Sequence, residues 1–133
     1  MLRAYKYRLY PTDEQKVLFA KTFGCCRFVY NWALALKIEA YKERKKTLKN
    51  VFLTNLMKSE LKAEHEWLSE VNSQSLQSAL RNLDTAYSNF FRNTKAVGFP
   101  RFKSRKNQQS FQCPQHCRID FAKGTITIPK AKD

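Results

Sequence analysis

Helical periodicity fills the middle of this chain and stops at both ends, and that switch limits the fold more than any other feature. Leu2 to Tyr10 alternates with a period of two: Tyr5, Tyr7 and Leu9 share one face, Lys6 and Arg8 the other, so the segment reads as a strand. Pro11 ends it. From Asp13 to about Asn93 apolar residues recur at helical steps instead. From Gly98 that pattern is gone. Ser110–Gln112 reads as a short strand, and Arg118–Phe121 and Thr125–Ile128 read as a hairpin turning at Ala122-Lys123-Gly124. A lone strand does not stay unpaired, so the N-terminal strand is expected to pair with that hairpin. The predicted class is α+β, with a four-helix insert inside a small antiparallel β-module.

The first helix is expected from Asp13 to about Phe23, opened by a Thr12/Gln15 capping box and broken at Gly24. The second runs from about Cys25 to Lys46, with Phe28, Val29, Trp32, Leu36 and the Ala35/Ile38 pair inward, and ends in Arg44-Lys45-Lys46. Thr47 to Asn50 reads as a loop. The third covers roughly Leu53 to Glu64, with Leu53, Leu56, Met57 and Leu61 inward, and Trp67-Leu68 plugs the loop behind it. The fourth runs from near Ser73 to about Asn93 on a stripe of Leu76, Leu80, Leu83, Tyr87 and Phe90, with Ala79 and Ala86 allowing close approach. Three segments follow: a first strand at 1–11, a helical region at 12–97, and a basic loop with closing strands at 98–133.

Charge points to the partner. With 25 Lys+Arg against 11 Asp+Glu, the formal net charge is +14. Between Asp84 and Asp120 there is no carboxylate, and Arg92–Lys106 alone holds six cations. Such self-repulsion suits a polyanion, nucleic acid before membrane surface. Phe99 and Phe102, on either side of Pro100-Arg101, suit either base stacking or anchoring of the loop, and anchoring is the preferred reading. No run of roughly 18 apolar residues and no signal peptide is visible, so no membrane partner is expected and a cytoplasmic location follows, with Cys25, Cys26, Cys113 and Cys117 reduced.

The residues for catalysis are missing from this stretch. Metal-assisted phosphodiester cleavage needs clustered carboxylates. Here Glu39, Glu43, Glu60, Glu64, Glu66 and Glu70 stand among lysines at helix-surface spacing. Three glycines cannot build a Gly-rich phosphate loop. His65, between two glutamates, reads as a surface residue. Cys113, His116 and Cys117 offer three zinc ligands without a fourth, so no metal site and no cofactor is expected.

Several blocks, in order, resemble the TnpB (OrfB) family of transposon-encoded proteins. They are Tyr5-Lys6-Tyr7-Arg8-Leu9-Tyr10-Pro11-Thr12, Arg27-Phe28-Val29-Tyr30-Asn31-Trp32, Trp67-Leu68, Leu76-Gln77 with Leu80 and Asn82-Leu83, Ala86-Tyr87 with Phe90-Phe91, and Gly98-Phe99-Pro100-Arg101-Phe102-Lys103. The resemblance implies an RNA-guided DNA endonuclease whose N-terminal part is a β-barrel wedge interrupted by a helical recognition region, described as helix-turn-helix. That part grips guide RNA and heteroduplex and reads a short motif flanking the target. Cleavage belongs to a downstream RuvC-like domain with a zinc finger. The chain is therefore expected to be a fragment or a truncated reading frame without cutting activity, its open sheet edge inviting self-association.

On that resemblance, with the chemistry of Asn and Gln toward adenine in a major groove, Asn50, Thr54, Ser73 and Gln77 are the expected motif readers. Lys6, Arg8, Arg92, Arg101, Lys103, Arg105 and Lys106 are the expected backbone contacts. A free-standing DNA-binding regulator and a protein–protein dimerisation module are the rival readings.

Overall fold

A computed structural model describes residues 2–44, 48–93, 96–106, 109–114 and 117–128. The predicted Lys45-Lys46 patch, Thr47, His116 and the residues from Pro129 on lie outside these.

The capping box forms as expected. The Thr12 N–H donates to Gln15 Oε1 at 2.8 Å, and the Gln15 N–H donates to Thr12 Oγ1 at 3.3 Å. Asp13 and Glu14 then sit where the helix dipole favours negative charge. Helix α1, Asp13–Arg44, continues for 32 residues without a break. This corrects the two-helix expectation. Gly24 lies inside α1 and costs about 1 kcal/mol of propensity against alanine. Burial of Cys25, Cys26, Val29, Tyr30, Ala33 and Leu34 on the same helix outweighs that cost.

The buried stripe of α1 is narrower in side-chain size than the sequence suggests. Phe28, Trp32, Leu36 and Ile38 flank the core half-buried, and Ala35 is exposed. Val29, Ala33 and Leu34 take the centre, with Cys25, Cys26 and Tyr30 buried beside them.

The second helical body begins at Asn50, not Leu53. It runs as α2 (Asn50–Leu56), one π-helical turn (Met57–Leu61) and α3 (Lys62–Glu64). The π turn keeps Leu53, Met57 and Leu61 all inward. A 3₁₀ turn, Glu66–Glu70, follows, and it buries Leu68. Helix α4, Ser73–Arg92, is capped by Asn72, whose side chain accepts from the Gln74 N–H at 3.1 Å. Its Leu76, Ala79, Leu80 and Leu83 close the core against α1, and α2 packs on it as well. The described helices thus make three bodies rather than four.

The sheet is smaller than expected. Strand β1 (Arg118–Asp120) pairs antiparallel with β2 (Thr125–Thr127), in the register Arg118↔Thr127, Ile119↔Ile126, Asp120↔Thr125. The turn is built as predicted: Gly124 takes φ +65°, and Asp120 Oδ1 accepts from the Ala122 and Lys123 N–H groups. No barrel is present among the described residues. Leu2 to Tyr10 is exposed and forms no strand, although the Tyr5 and Tyr7 rings stack at 6.4 Å and so keep the alternation. A hairpin of three-residue strands, exposed throughout, offers no buried face to fix a third strand's register. Ser110–Gln112 is not a strand either. The Gln112 carbonyl accepts from the Ser75 hydroxyl at 2.6 Å, a side-chain partner in place of a ladder.

Candidate nucleic-acid interface

The acid-free run does not hang free of the helices. Asn31, on α1, clamps it with both ends of its amide. Nδ2 donates to the Lys103 carbonyl at 2.9 Å, and Oδ1 accepts from the Lys103 N–H at 2.7 Å. This pair mimics one rung of a β-ladder and fixes the strap's position on the helix. The Lys103 ammonium lies 4.6 Å from the Tyr30 ring centre, one residue earlier on α1. Pro100 is buried. Phe99 meets Tyr87 and Phe90 of α4 edge-to-face, with centroids at 5.4 and 5.3 Å.

Farther along, Arg27 donates to Gln109 at 3.2 Å, and Phe111 packs on Phe19 and Phe23 at 5.9 and 5.3 Å. Phe99 is thus an anchor, as preferred. Phe102 stays exposed.

With the strap held this way, Arg101, Arg105 and Lys106 are exposed along one run, and Arg92 is exposed in the last turn of α4. Lys103 differs from them in that its backbone and its ammonium both serve the clamp. Lys6 and Arg8 lie on the N-terminal segment, where the Arg8 guanidinium sits 5.7 Å from the Tyr10 ring. Among the described residues no hydrogen bond or ring contact joins that segment to the strap.

The expected motif readers fall on two elements in contact, α2 and the first turns of α4. Thr54 Oγ1 donates to the Asn50 carbonyl at 2.9 Å, bonding within its own helix. Asn50 Oδ1 is buried without a hydrogen-bond partner among the described residues. Ser73 and Gln77 are half-buried.

Sequence reasoning assigned no role to Asn31, Tyr30 or Lys37. Lys37 is buried on α1 with its ammonium 4.5 Å from the Tyr87 ring, tying α1 to α4. Burial lowers its pKa, and the nearby Asp84 carboxylate opposes that shift. A lysine and an asparagine among apolar helix positions were the available signal. His65 is a correction: it is half-buried, its ring 5.0 Å from Phe28 and 5.4 Å from Trp67.

The thiols divide the same way. Burial, followed by neighbouring Cys25 and Cys113, pushes Cys26 up to about 12, and its Sγ donates to the Ser75 carbonyl at 3.6 Å. Cys113 lies 3.6 Å from the Ser75 hydroxyl. Among the described residues no three His, Cys, Asp or Glu side chains are placed to hold a metal.

Known proteins fit this arrangement. A family model described as a helix-turn-helix domain, of the OrfB IS605 type, matches residues 1–46. The virulence protein VsdF of Salmonella dublin is 36% identical over 113 residues, spanning 79% of this chain and 95% of VsdF. The chain belongs to the OrfB/TnpB family. Two longer relatives bear the name "Putative RNA-guided DNA endonuclease". The one from Streptomyces pristinaespiralis is 40% identical over 98% of this chain, and InsQ of Escherichia coli K12 is 36% identical over 97%. The OrfB/TnpB chain spans about a third of their length, 32% in each case. In this OrfB/TnpB member the described residues of the matched span hold an N-terminal segment without regular secondary structure and α1 alone. The turn that separates two helices in the family's description is therefore not at Gly24.

Proposed function

We propose that this chain is the nucleic-acid-gripping N-terminal lobe of a TnpB-type transposon nuclease, binding target-flanking DNA and guide RNA. Cutting falls to residues beyond this stretch. One observation carries the reading: an acid-free cationic strap is fixed to the helical core by the Asn31–Lys103 pair, with its arginines left outward. A clamped strap presents charge at fixed spacing, which suits a regular phosphate backbone. In the same reading Asn50, Thr54, Ser73 and Gln77 face the flanking motif. The N-terminal segment at 1–11, the helical region at 12–97 and the basic loop and strands at 98–133 are the lobe's three parts.

The test is salt dependence. If about six phosphates are neutralised, affinity for duplex DNA or structured RNA falls roughly 10³-fold between 50 and 200 mM salt. Fluorescence anisotropy reads this directly. Arg101→Ala with Arg105→Ala should flatten the log–log slope by about 2. A slope near zero overturns the proposal.

A second reading, a free-standing nucleic-acid-binding regulator, is favoured by VsdF, since this chain covers 95% of that protein. Under it the same salt slope appears on duplex DNA, with no preference for structured RNA. Dimerisation without nucleic acid, seen by light scattering, would favour the protein–protein reading instead.

A further inference from the structure

An open pocket of about 530 Å³ lies on the face of α1 lined by Gly24 and Phe28, and none of the expected contacts falls in it. Lys21, Gly24, Arg27 and Phe28 line it from α1, and Trp67 and Glu70 line it from the 3₁₀ turn. Its size is within the range of small-ligand sites, roughly 300–1,000 Å³. Trp67 is 41% exposed although the next residue, Leu68, is 0% exposed. A tryptophan left outward forfeits burial. This one is held there: Phe28 meets it edge-to-face at 5.0 Å, and His65 buttresses both rings. The result is a fixed aromatic surface beside two cations.

Gly24 supplies an independent argument. A glycine inside a helix costs stability against alanine, so its presence needs a reason. Backbone conformation is not the reason, because among the three glycines only Gly124 takes a positive φ. Close packing is not the reason either: a Cβ at Gly24 would meet only Arg27 Nη2, at 3.7 Å, which is ordinary contact. What the missing side chain does is leave the pocket open.

We infer that this pocket takes an unpaired nucleobase of a bound single strand, stacked against Trp67. The inference rests on the nucleic-acid-binding reading above. Stacking on a preset ring is sequence-tolerant and loses little rotamer freedom. Lys21 and Arg27 sit beside it with charge for the strand's phosphates. Glu70, held 3.2 Å from Lys21, presents a carboxylate that accepts from amino groups on a base edge.

The test uses Trp67 emission in a Trp32→Phe background, with a short labelled single-stranded oligodeoxynucleotide and a fully abasic copy of equal length. Anisotropy of the label reads binding; quenching of Trp67 reads the pocket. The base-bearing strand should quench Trp67 and bind about tenfold tighter than the abasic copy. Gly24→Leu, which fills the pocket from a helix-compatible position, should keep the melting temperature and the abasic-strand affinity while losing the quench. Equal quenching by the abasic copy, or quenching that survives in Gly24→Leu, overturns the inference. Anisotropy without any quenching overturns the pocket but leaves the lobe's binding reading standing. Absence of binding to either strand overturns both.

Discussion

The helical block and the strap from Ala96 to Ile128 are fixed by opposite means. The block buries a continuous apolar cluster from α1, α2, the π turn and α4, with Leu34, Met57, Leu68, Leu76 and Leu83 wholly out of water. The strap buries little beyond Pro100 and holds its place through separate contacts: the Asn31 amide pair, the Lys103–Tyr30 stack and the Phe99 ring contacts. Area fixes the first and geometry the second. The charge follows the same division. Nine of the eleven carboxylates lie in residues 13–84, while Thr85 to Ile119 has none. A surface built to be held at a few points, and unneutralised from within, leaves most of its cations free for an external polyanion.

The largest expected effect breaks the block. Leu80→Ala removes a buried side chain of the core cluster and should cost about 2–5 kcal/mol of unfolding free energy in urea titrations. Loss of this size takes the strap with it, since Asn31, Tyr30 and Tyr87 all stand on helices that Leu80 packs together. A substitution on the exposed hairpin, such as Ile126→Ala, should move the same midpoint hardly at all, because Ile126 is not part of the core cluster.

The next effect separates the two regions. Asn31→Ala deletes both hydrogen bonds to Lys103 and leaves the buried cluster intact. Stability should fall by only about 1 kcal/mol, since the bonds are exposed. Nucleic-acid affinity should fall further, by roughly tenfold, because a released strap must be ordered again at each binding event. Paired melting and anisotropy measurements check this. A binding loss no larger than the stability loss would mean that the strap's fixed geometry is not what the partner uses.

These differences mark what the sequence made legible. Periodicity located α4 and its Leu76–Leu80–Leu83 stripe, and the Ala122-Lys123-Gly124 turn announced the hairpin, because both signals are local. The capping box at Thr12 was legible for the same reason. The continuity of α1 was not. Gly24 is a local stop signal, and only packing against α4 overrides it. The pairing of the N-terminal segment was over-read, since period two shows a strand's faces but not its partner. The basic run was plain from composition. Its clamp was not, since Asn31 and Lys103, 72 positions apart, meet through tertiary contacts alone. The bond from the Thr54 hydroxyl to the Asn50 carbonyl of its own helix was not legible either, since residue type does not show which way a hydroxyl donates.

The last comparison sets two thiols side by side, one from each region. Cys26 is buried under α4, and desolvation, with Cys25 and Cys113 nearby, raises its pKa from 9.0 to about 12. The folded state therefore keeps the proton after the unfolded state has lost it. Stability from this site is complete below pH 9 and declines as pH rises from about 9 toward 12, by at most about 1.4 kcal/mol per pH unit. Buried Cys25 and Tyr30 and half-buried Tyr87 shift upward too and add to that decline. Lys37 shifts downward and opposes it, because there the unfolded state binds the extra proton. Cys26→Ala should thus flatten, without abolishing, the fall in melting temperature above pH 9. Cys117 is exposed beside β1, and partial burial, followed by neighbouring Cys113, raises its pKa. Iodoacetamide at pH 8.5 should label Cys117 in the native chain and Cys26 only after denaturant. Equal labelling of both thiols in the folded protein would erase the division between a region held by area and one held by points.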